Sequence, residues 1–310
     1  PRKYSTSSTL YATPATRLRH YLSVRDMTAD ETLGVLDLAR ELKTGHARGE
    51  DRPQLAGRTL AMIFQKPSLR TRVSFEAGMT QLGGHAIYLG PEDIRLGQRE
   101  TTEDIAIVLA RMSDFIMARV FGHEIVEELA RHSTVPVING LSDREHPCQA
   151  LGDVLTILER KGRVKGVKLV FVGDGNNVAN SLLLMGGLLG MSVTVACPEG
   201  YEPPADILAE ARVLAQASGA VVDATSDLDA ACCGADVLYT DVWASMGQEA
   251  EKADRERAFR AFKIDARLLA LAAPDAIVMH CLPAHYGEEI DYGVSRIPNS
   301  ALFDQAENRL

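Results

Sequence analysis

Nine short apolar runs, most of them rich in β-branched residues, alternate along the chain with stretches of helical period. That rhythm constrains the fold more than any other feature. Strands buried on both faces read as unbroken apolar runs, and parallel strands need a crossover helix between them. Four runs come first, "TLAMIF", "HAIYLG", "DFIMARV" and "VPVING", separated by expected helices from Val73 to Gln81, Thr102 to Met112 and Glu124 to His132. Ahead of them, Thr28 and Glu31 fit a capping box opening a helix that is expected to stop before Gly45. A longer helical segment, "HPCQALGDVLTILERKG", then leads into "VKLVFVGD", "SVTVACP", "AVVDATS", "DVLYTDVW" and "AIVMHCLP". The expected fold class is α/β, with two doubly wound parallel-sheet domains. They are expected at residues 1–145, including an N-terminal arm of about 1–17, and at 146–300, with a closing segment at 301–310.

The unusual polar residues collect where such strands end. "QKPSLRTR" follows "LAMIF", Arg119 ends "DFIMAR", "NGLSDREHPCQ" follows "VPVI", "GDGNN" follows "KLVFV", "DVWASMGQE" follows "DVLYT" and "HCLPAHYGEE" follows "AIVM". Ligands of open parallel sheets bind beyond the carboxyl ends of the strands, so the expected site is a cleft between the two sheets.

Composition removes several function classes. A net charge of −9 argues against a general nucleic-acid binder, which needs a basic face, so any anion site here is local. The five cysteines, Cys148, Cys197, Cys232, Cys233 and Cys281, lack paired zinc spacing and read as reduced thiols of a cytoplasmic protein. The residues before Asp26 are basic and rich in Ser and Thr, with a faint likeness to a transit peptide, and the expectation there is a disordered arm. Residues 176–198 carry no charge, but Gly186, Gly187 and Gly190 interrupt them ahead of "SVTVAC", which fits a buried helix and strand better than a membrane span.

Several clusters carry possible chemistry. If Ser68 to Thr71 open a helix, their backbone N–H groups, the Ser68 and Thr71 hydroxyls and Arg70 all face one anion, while Arg72, two residues on, faces elsewhere. "GDGNNV" invites a dinucleotide reading, but Val178 stands where that fingerprint requires Gly or Ala. His146, Cys148, His280, Cys281 and His285 are conceivable metal ligands, yet neighbouring His280 and Cys281 on a strand point to opposite faces, and no metal is expected. A Cys281 nucleophile meeting His146 is the stronger competitor. Asn177 and Asp241 form a plausible pair for the α-amino and α-carboxylate groups of an amino acid, whereas Trp243 reads as packing.

Taken in order and spacing, "KPSLRTR", "HPCQ", "GDGNN", "DVWASMGQE", "HCLPA" and "AENR" resemble the ornithine carbamoyltransferases from about residue 18 to the last residue. "SMG" and "HCLP" favour ornithine over aspartate as acceptor. The resemblance implies a first domain for carbamoyl phosphate, a second for L-ornithine, a homotrimer or multiple of trimers, and no cofactor, metal, nucleic acid or membrane partner. It places Ser68, Leu69, Arg70, Thr71 and Arg309 on the phosphate, and Arg119, His146 and Gln149 on the carbamoyl group. Asn177, Asp241, Ser245 and Met246 would bind ornithine, with Cys281 and Leu282 completing the reacting end. In that scheme Cys281 or Asp241 helps deprotonate the δ-amine while Arg119, His146 and Thr71 stabilise the oxyanion.

Two departures from the family pattern stand out. Leu69 replaces the commoner threonine, which removes one hydroxyl but keeps the backbone N–H. The sequence also begins at Pro1 and stops at Leu310, where the family continues into a helix, so a trimmed chain with a weakly held Arg309 is expected. The alternatives are a carbamoyltransferase for a different amine, an NAD-dependent dehydrogenase, and a non-enzymatic assembly subunit.

Overall fold

The computed structural model describes residues 19–97, 99–244 and 251–310. The first half carries α1 (Ala29–Ala47), β1 (Thr59–Phe64), α2 (Leu69–Gln81), β2 (His85–Leu89), α3 (Pro91–Ile94), α4 (Thr102–Met112), β3 (Phe115–Arg119), α5 (His123–His132) and β4 (Val137–Leu141). Helix α6 (Pro147–Lys161) leads into β5 (Lys168–Val172), α7 (Asn177–Leu189), β6 (Ser192–Ala196), α8 (Ala205–Ser218), β7 (Val222–Thr225) and α9 (Leu228–Cys232). The order closes with β8 (Val237–Thr240), α10 (Lys252–Phe259), α11 (Ala266–Leu271), β9 (Ile277–His280) and α12 (Leu302–Glu307).

All strand pairings are parallel, in the orders β2-β1-β3-β4 and β7-β6-β5-β8-β9. The chain reverses direction across the first sheet between β1 and β3, and across the second between β5 and β8. Loops leaving strands on either side of such a reversal splay apart and open a crevice. Register fixes which residues reach it: Phe64 pairs with Arg119, and Val172 with Thr240. Each crevice is therefore rimmed by residues 65–71 with Arg119, or by residues 173–177 with Asp241.

Strand alternation builds the cores. In the second sheet Leu169, Phe171, Val237 and Tyr239 face α6, α7 and α8, while Val170, Val172, Leu238 and Val278 face Phe259, Leu268 and Leu302. Burying side chains of this size contributes about 1.5–3 kcal/mol each. The first sheet divides likewise, with Ile63, Ile116 and Ala118 against α4 and α5, and Leu60, Met62 and Phe64 with Met79 on the other face.

Two helix boundaries differ from expectation by more than one residue. The capping box at Thr28 forms, with Glu31 N donating to Thr28 Oγ1 at 3.2 Å and Thr28 N to Glu31 Oε2 at 2.8 Å. Helix α1 nonetheless runs past Gly45 to Ala47, because the left-handed turn that stops it falls on Gly49, at φ 73°. Helix α2 starts at Leu69 and not at Val73, because Ser68 is its N-cap, accepting from Thr71 N.

The charge-free stretch is the buried α7 followed by β6, and no helix among the described residues is long and apolar enough to cross a membrane. The N-terminal arm, through residue 18, lies outside the described residues. The glycines of α7 allow close packing: a Cβ on Gly187 would lie 2.5 Å from Ala211 O of α8, and one on Gly186 2.4 Å from Val193 Cγ2 of β6. Alanine is worth about 1 kcal/mol more than glycine in an open helix. Here the obstacle is backbone, so Gly187→Ala is predicted to destabilise by about 1–3 kcal/mol. Denaturant unfolding measures it, and a raised midpoint would refute the packing argument.

Candidate active site

A cleft of about 1100 Å³ runs between the two switch points. Its anion end is built on the first turn of α2. Thr71, 1% exposed, stands at the centre: its Oγ1 accepts from Arg309 Nη2 at 3.0 Å and lies 3.4 Å from Arg119 Nη1 and 3.2 Å from Ser68 Oγ. Arg70 reaches across the cleft and donates from Nη2 to Leu282 O at 2.8 Å. Leu282 itself sits at φ 60°, a conformation costly for a residue with a Cβ. Arg72 turns the other way, onto Glu76 at 2.9 Å and over the Tyr88 ring at 4.1 Å.

Arg70, Arg119 and Arg309 form no ion pair with any described carboxylate. Burial and the charges of Arg309 and Arg70 push the Arg119 guanidinium down to about 10, and burial lowers Arg309 and Arg70 as well. All three remain cationic at neutral pH. The same charges, after burial itself, hold His146 well below the ordinary imidazole range, so it is neutral. Arg309 Nη1 lies 3.2 Å from His146 Nε2. Because the guanidinium can only donate, Nε2 accepts and the ring proton is on Nδ1, which is buried without a described partner, as are Nε of Arg119 and of Arg309.

Arg309 is firmly placed, contrary to the weak hold expected of it. Beyond α12, Asn308 Nδ2 donates to Thr156 Oγ1 at 2.9 Å and Glu159 Oε2 at 2.8 Å, and Lys43 Nζ donates to Asn308 Oδ1 at 2.7 Å. Gly152 admits the chain, since a Cβ there would stand 3.0 Å from Asn308 O. The guanidinium then donates to Gln149 Oε1 as well as to Thr71.

The opposite wall belongs to the second sheet. Asn176 caps α7, accepting from Val178 N and Ala179 N, and donates from Nδ2 to Asp241 Oδ2 at 2.9 Å. Asn177, singled out from the sequence, lines the cleft while donating to Ser142 O at 2.6 Å. Asp241 Oδ1 accepts from Val242 N at 2.8 Å and from the Cys281 thiol at 3.0 Å. Burial and the Asp241 carboxylate raise the Cys281 thiol well above its ordinary value. Asp241, not His146, is therefore the thiol's partner, and it suppresses the thiolate that nucleophilic or base chemistry at Cys281 requires.

Ser68, Leu69, Arg70, Thr71, Arg119, His146, Gln149, Asn177, Asp241, Cys281, Leu282 and Arg309 all line the one cleft. Ser245 and Met246 lie outside the described residues. Leu69 is 74% exposed at the rim, so its side chain supports no buried contact there. Asp241, His280 and Cys281 bring ligand atoms within 4.8 Å of one another, closer than strand alternation implies. Both nitrogens of His280 are taken, however, Nε2 by Glu289 Oε1 at 3.0 Å and Nδ1 by Leu282 N at 2.8 Å.

The second glycine of "GDGNN" has a structural cause. A Cβ on Gly175 would fall 2.2 Å from Pro203 N, so the missing side chain admits the chain itself and not a pyrophosphate. Trp243 packs, 6.2 Å from the Phe259 ring. Among the cleft residues not singled out in the sequence are Asp174 and Arg255, a buried pair at 2.8 Å. They lie 81 positions apart, and no local pattern links them.

Fold and site define a two-sheet α/β protein with a cationic cleft at paired switch points. The sequence profile for the aspartate/ornithine carbamoyltransferase carbamoyl-P binding domain matches residues 19–159, and that for the Asp/Orn binding domain matches residues 165–310. The chain belongs to the aspartate/ornithine carbamoyltransferase family. It is 54% identical to the anabolic ornithine carbamoyltransferase of Pyrococcus furiosus over 292 residues, covering 94% of this chain and 93% of that one. The solved ornithine carbamoyltransferase from Pyrococcus furiosus superposes with a TM-score of 0.92 at 54% identity, over 94% of this chain and 93% of that chain. The crystal structure of the anabolic enzyme from Campylobacter jejuni subsp. jejuni gives 0.90 at 40% identity, over 94% and 95%.

The Cys281–Asp241 geometry yields a prediction. Iodoacetamide modification of Cys281, followed by peptide mass so that exposed Cys233 does not interfere, is expected to be slow at neutral pH. Asp241→Asn removes the anion, lowers the thiol pKa and speeds the reaction. Rapid modification of the native protein would contradict the neutral-thiol assignment.

Proposed function

We propose that the cleft binds carbamoyl phosphate at the first switch point and L-ornithine at the second, and transfers the carbamoyl group to the ornithine δ-amine, giving L-citrulline and phosphate. The observation that carries this reading is the convergence of Arg119 and Arg309 on Thr71, with Arg70 lining the same cleft and none of the three paired with a described carboxylate. A phosphate placed there meets the N-terminus of α2, the Ser68 and Thr71 hydroxyls, the Leu69 N–H and up to three guanidiniums.

Roles follow from the donors and acceptors available. Ser68, Leu69, Arg70, Thr71 and Arg309 take the phosphate, and Arg119, His146 and Gln149 take the carbamoyl group, with His146 Nδ1–H and Arg119 Nε–H as the buried donors free to polarise its oxygen. Asn177 and Asp241, with Ser245 and Met246, hold the amino acid, and Cys281 and Leu282 close the reacting end. An alkyl ammonium has a pKa near ~10, so it must lose a proton before nitrogen attacks carbon. The C–N bond then forms as the bond from carbon to the phosphate oxygen breaks. Because the Cys281 thiol is itself a donor, Asp241 and the departing phosphate are the bases in reach. Activity therefore rises with pH above neutrality.

The same reading assigns residues 1–145 to carbamoyl phosphate, 146–300 to ornithine and 301–310 to a segment returning to the first domain. It also places the protein in the cytoplasm as a homotrimer or multiple of trimers, for which Val73, Ile87, Val108 and Met112 on the first half supply exposed apolar surface. The relatives named as anabolic support a place in arginine biosynthesis.

Purified full-length protein is expected to form citrulline from carbamoyl phosphate and ornithine, and its absence would sink the assignment. Arg70→Ala is expected to weaken carbamoyl phosphate binding about 10- to 100-fold, the range for a lost charge-assisted hydrogen bond. Unchanged affinity by calorimetry would mean that the anion lies elsewhere.

A further inference from the structure

We propose that Asp153 is a positioning residue for carbamoyl transfer, its carboxylate fixing the Gln149 amide so that the amide oxygen meets Arg309 at the anion end of the cleft. This rests on the activity proposed above.

Asp153 is wholly buried on α6, one helical turn beyond Gln149. Its Oδ1 accepts from Gln149 Nε2 at 2.8 Å and Gln305 Nε2 at 2.7 Å, and its Oδ2 from the Tyr239 hydroxyl at 3.1 Å. Gln305 Nε2 also donates to that hydroxyl at 2.9 Å, while Gln305 Oε1 accepts from His280 N at 2.8 Å. With its oxygen accepting from Gln305, the hydroxyl directs its hydrogen at Asp153. Donors from α6, β8 and α12 thus all point at one carboxyl group, which suits the anion. A protonated carboxyl would have to turn Tyr239 away.

An ionised group in a dry core costs stability, and an apolar side chain of similar size would cost less. The return lies at Gln149. With Nε2 committed to Asp153, only Oε1 can face the Arg309 guanidinium, and a flipped amide would set donor against donor. Arg309 in turn meets Thr71 and His146, so the orientation of one amide reaches the centre of the site.

The titratable groups facing Asp153 are Tyr239 from β8, Cys281 beyond β9 and Arg309 beyond α12. Burial pushes the carboxyl up to about 7, against the pull of its hydrogen bonds and of Arg309. As pH falls through that value the carboxyl protonates, loses its match to the three donors, and releases Gln149.

The test is kcat/KM for carbamoyl phosphate, by citrulline formation at saturating ornithine, from about pH 5.5 to 9. Asp153→Asn is expected to raise KM about 10- to 100-fold, lower kcat less, and abolish the limb near neutrality. Tyr239→Phe keeps the carboxylate but removes a donor to the anion, so its limb moves to higher pH. A folded Asp153→Asn protein with native KM and native limb overturns the proposal. Should that variant fail to fold, Tyr239→Phe decides, an unmoved limb counting against it. Were the native protein inactive toward citrulline, the activity would fall but not this inference. Calorimetry with inorganic phosphate would then decide: weaker binding in Asp153→Asn supports the proposal, and equal binding overturns it.

Discussion

Two guanidiniums, those of Arg119 and Arg309, gathered on the Thr71 hydroxyl at the cleft end that Arg70 also lines, set the terms for the rest of this molecule. Burial disfavours a charged group and like charges brought together repel; burial first, and then the charges of Arg309 and Arg70, lower Arg119 to about 10. Each therefore has to be held from behind. Arg119 is fixed by its place at the end of β3, paired in register with Phe64. Arg309 is fixed by its neighbour Asn308, which donates to Thr156 and Glu159 of α6, and by the glycine that lets the backbone approach. Arg70 is anchored on the carbonyl of Leu282, across the cleft. The two sheets supply the rigidity that this arrangement requires.

Their topology also decides where the charge sits. Each sheet reverses strand order once, and the loops at those two reversals face one another across the cleft. The chemistry divides along the same line: fixed cations on the first side, and amide, carboxylate and neutral thiol on the second. Asp241 connects these groups, since it accepts from both Asn176 and Cys281. The thiol is kept neutral by its neighbour, a property that cysteine spacing does not convey.

Much of this was legible in the sequence because it depends on local pattern. Apolar runs marked all nine strands of the described residues, and the helix Thr102–Met112 coincides with its expected span. Polar residues just beyond the strand ends marked the cleft, since the backbone direction of a parallel strand decides which end opens to solvent. Boundaries set by a single dihedral were less legible: Gly45 and Gly49 look equally able to stop α1, and only Gly49 takes the left-handed turn. Long-range pairing was not legible at all. Gln305 meets Asp153 across 152 positions and Arg255 meets Asp174 across 81, through tertiary packing that no spacing rule encodes. The choice of Asn177 in "GDGNN" likewise passed over Asn176, because only the helix start shows which of the two asparagines caps α7 and turns toward Asp241.

On the proposed function, one cleft holds an anion and an amino acid side by side. Calorimetric titration with a bisubstrate analogue joining a phosphonate to ornithine tests it most directly. A single site per chain, with affinity at least about 100-fold above that for ornithine alone, is predicted from linking two half-sites at fixed separation. Binding no tighter than ornithine alone would show that the phosphonate finds no partner in the arginine cluster, and would contradict the account.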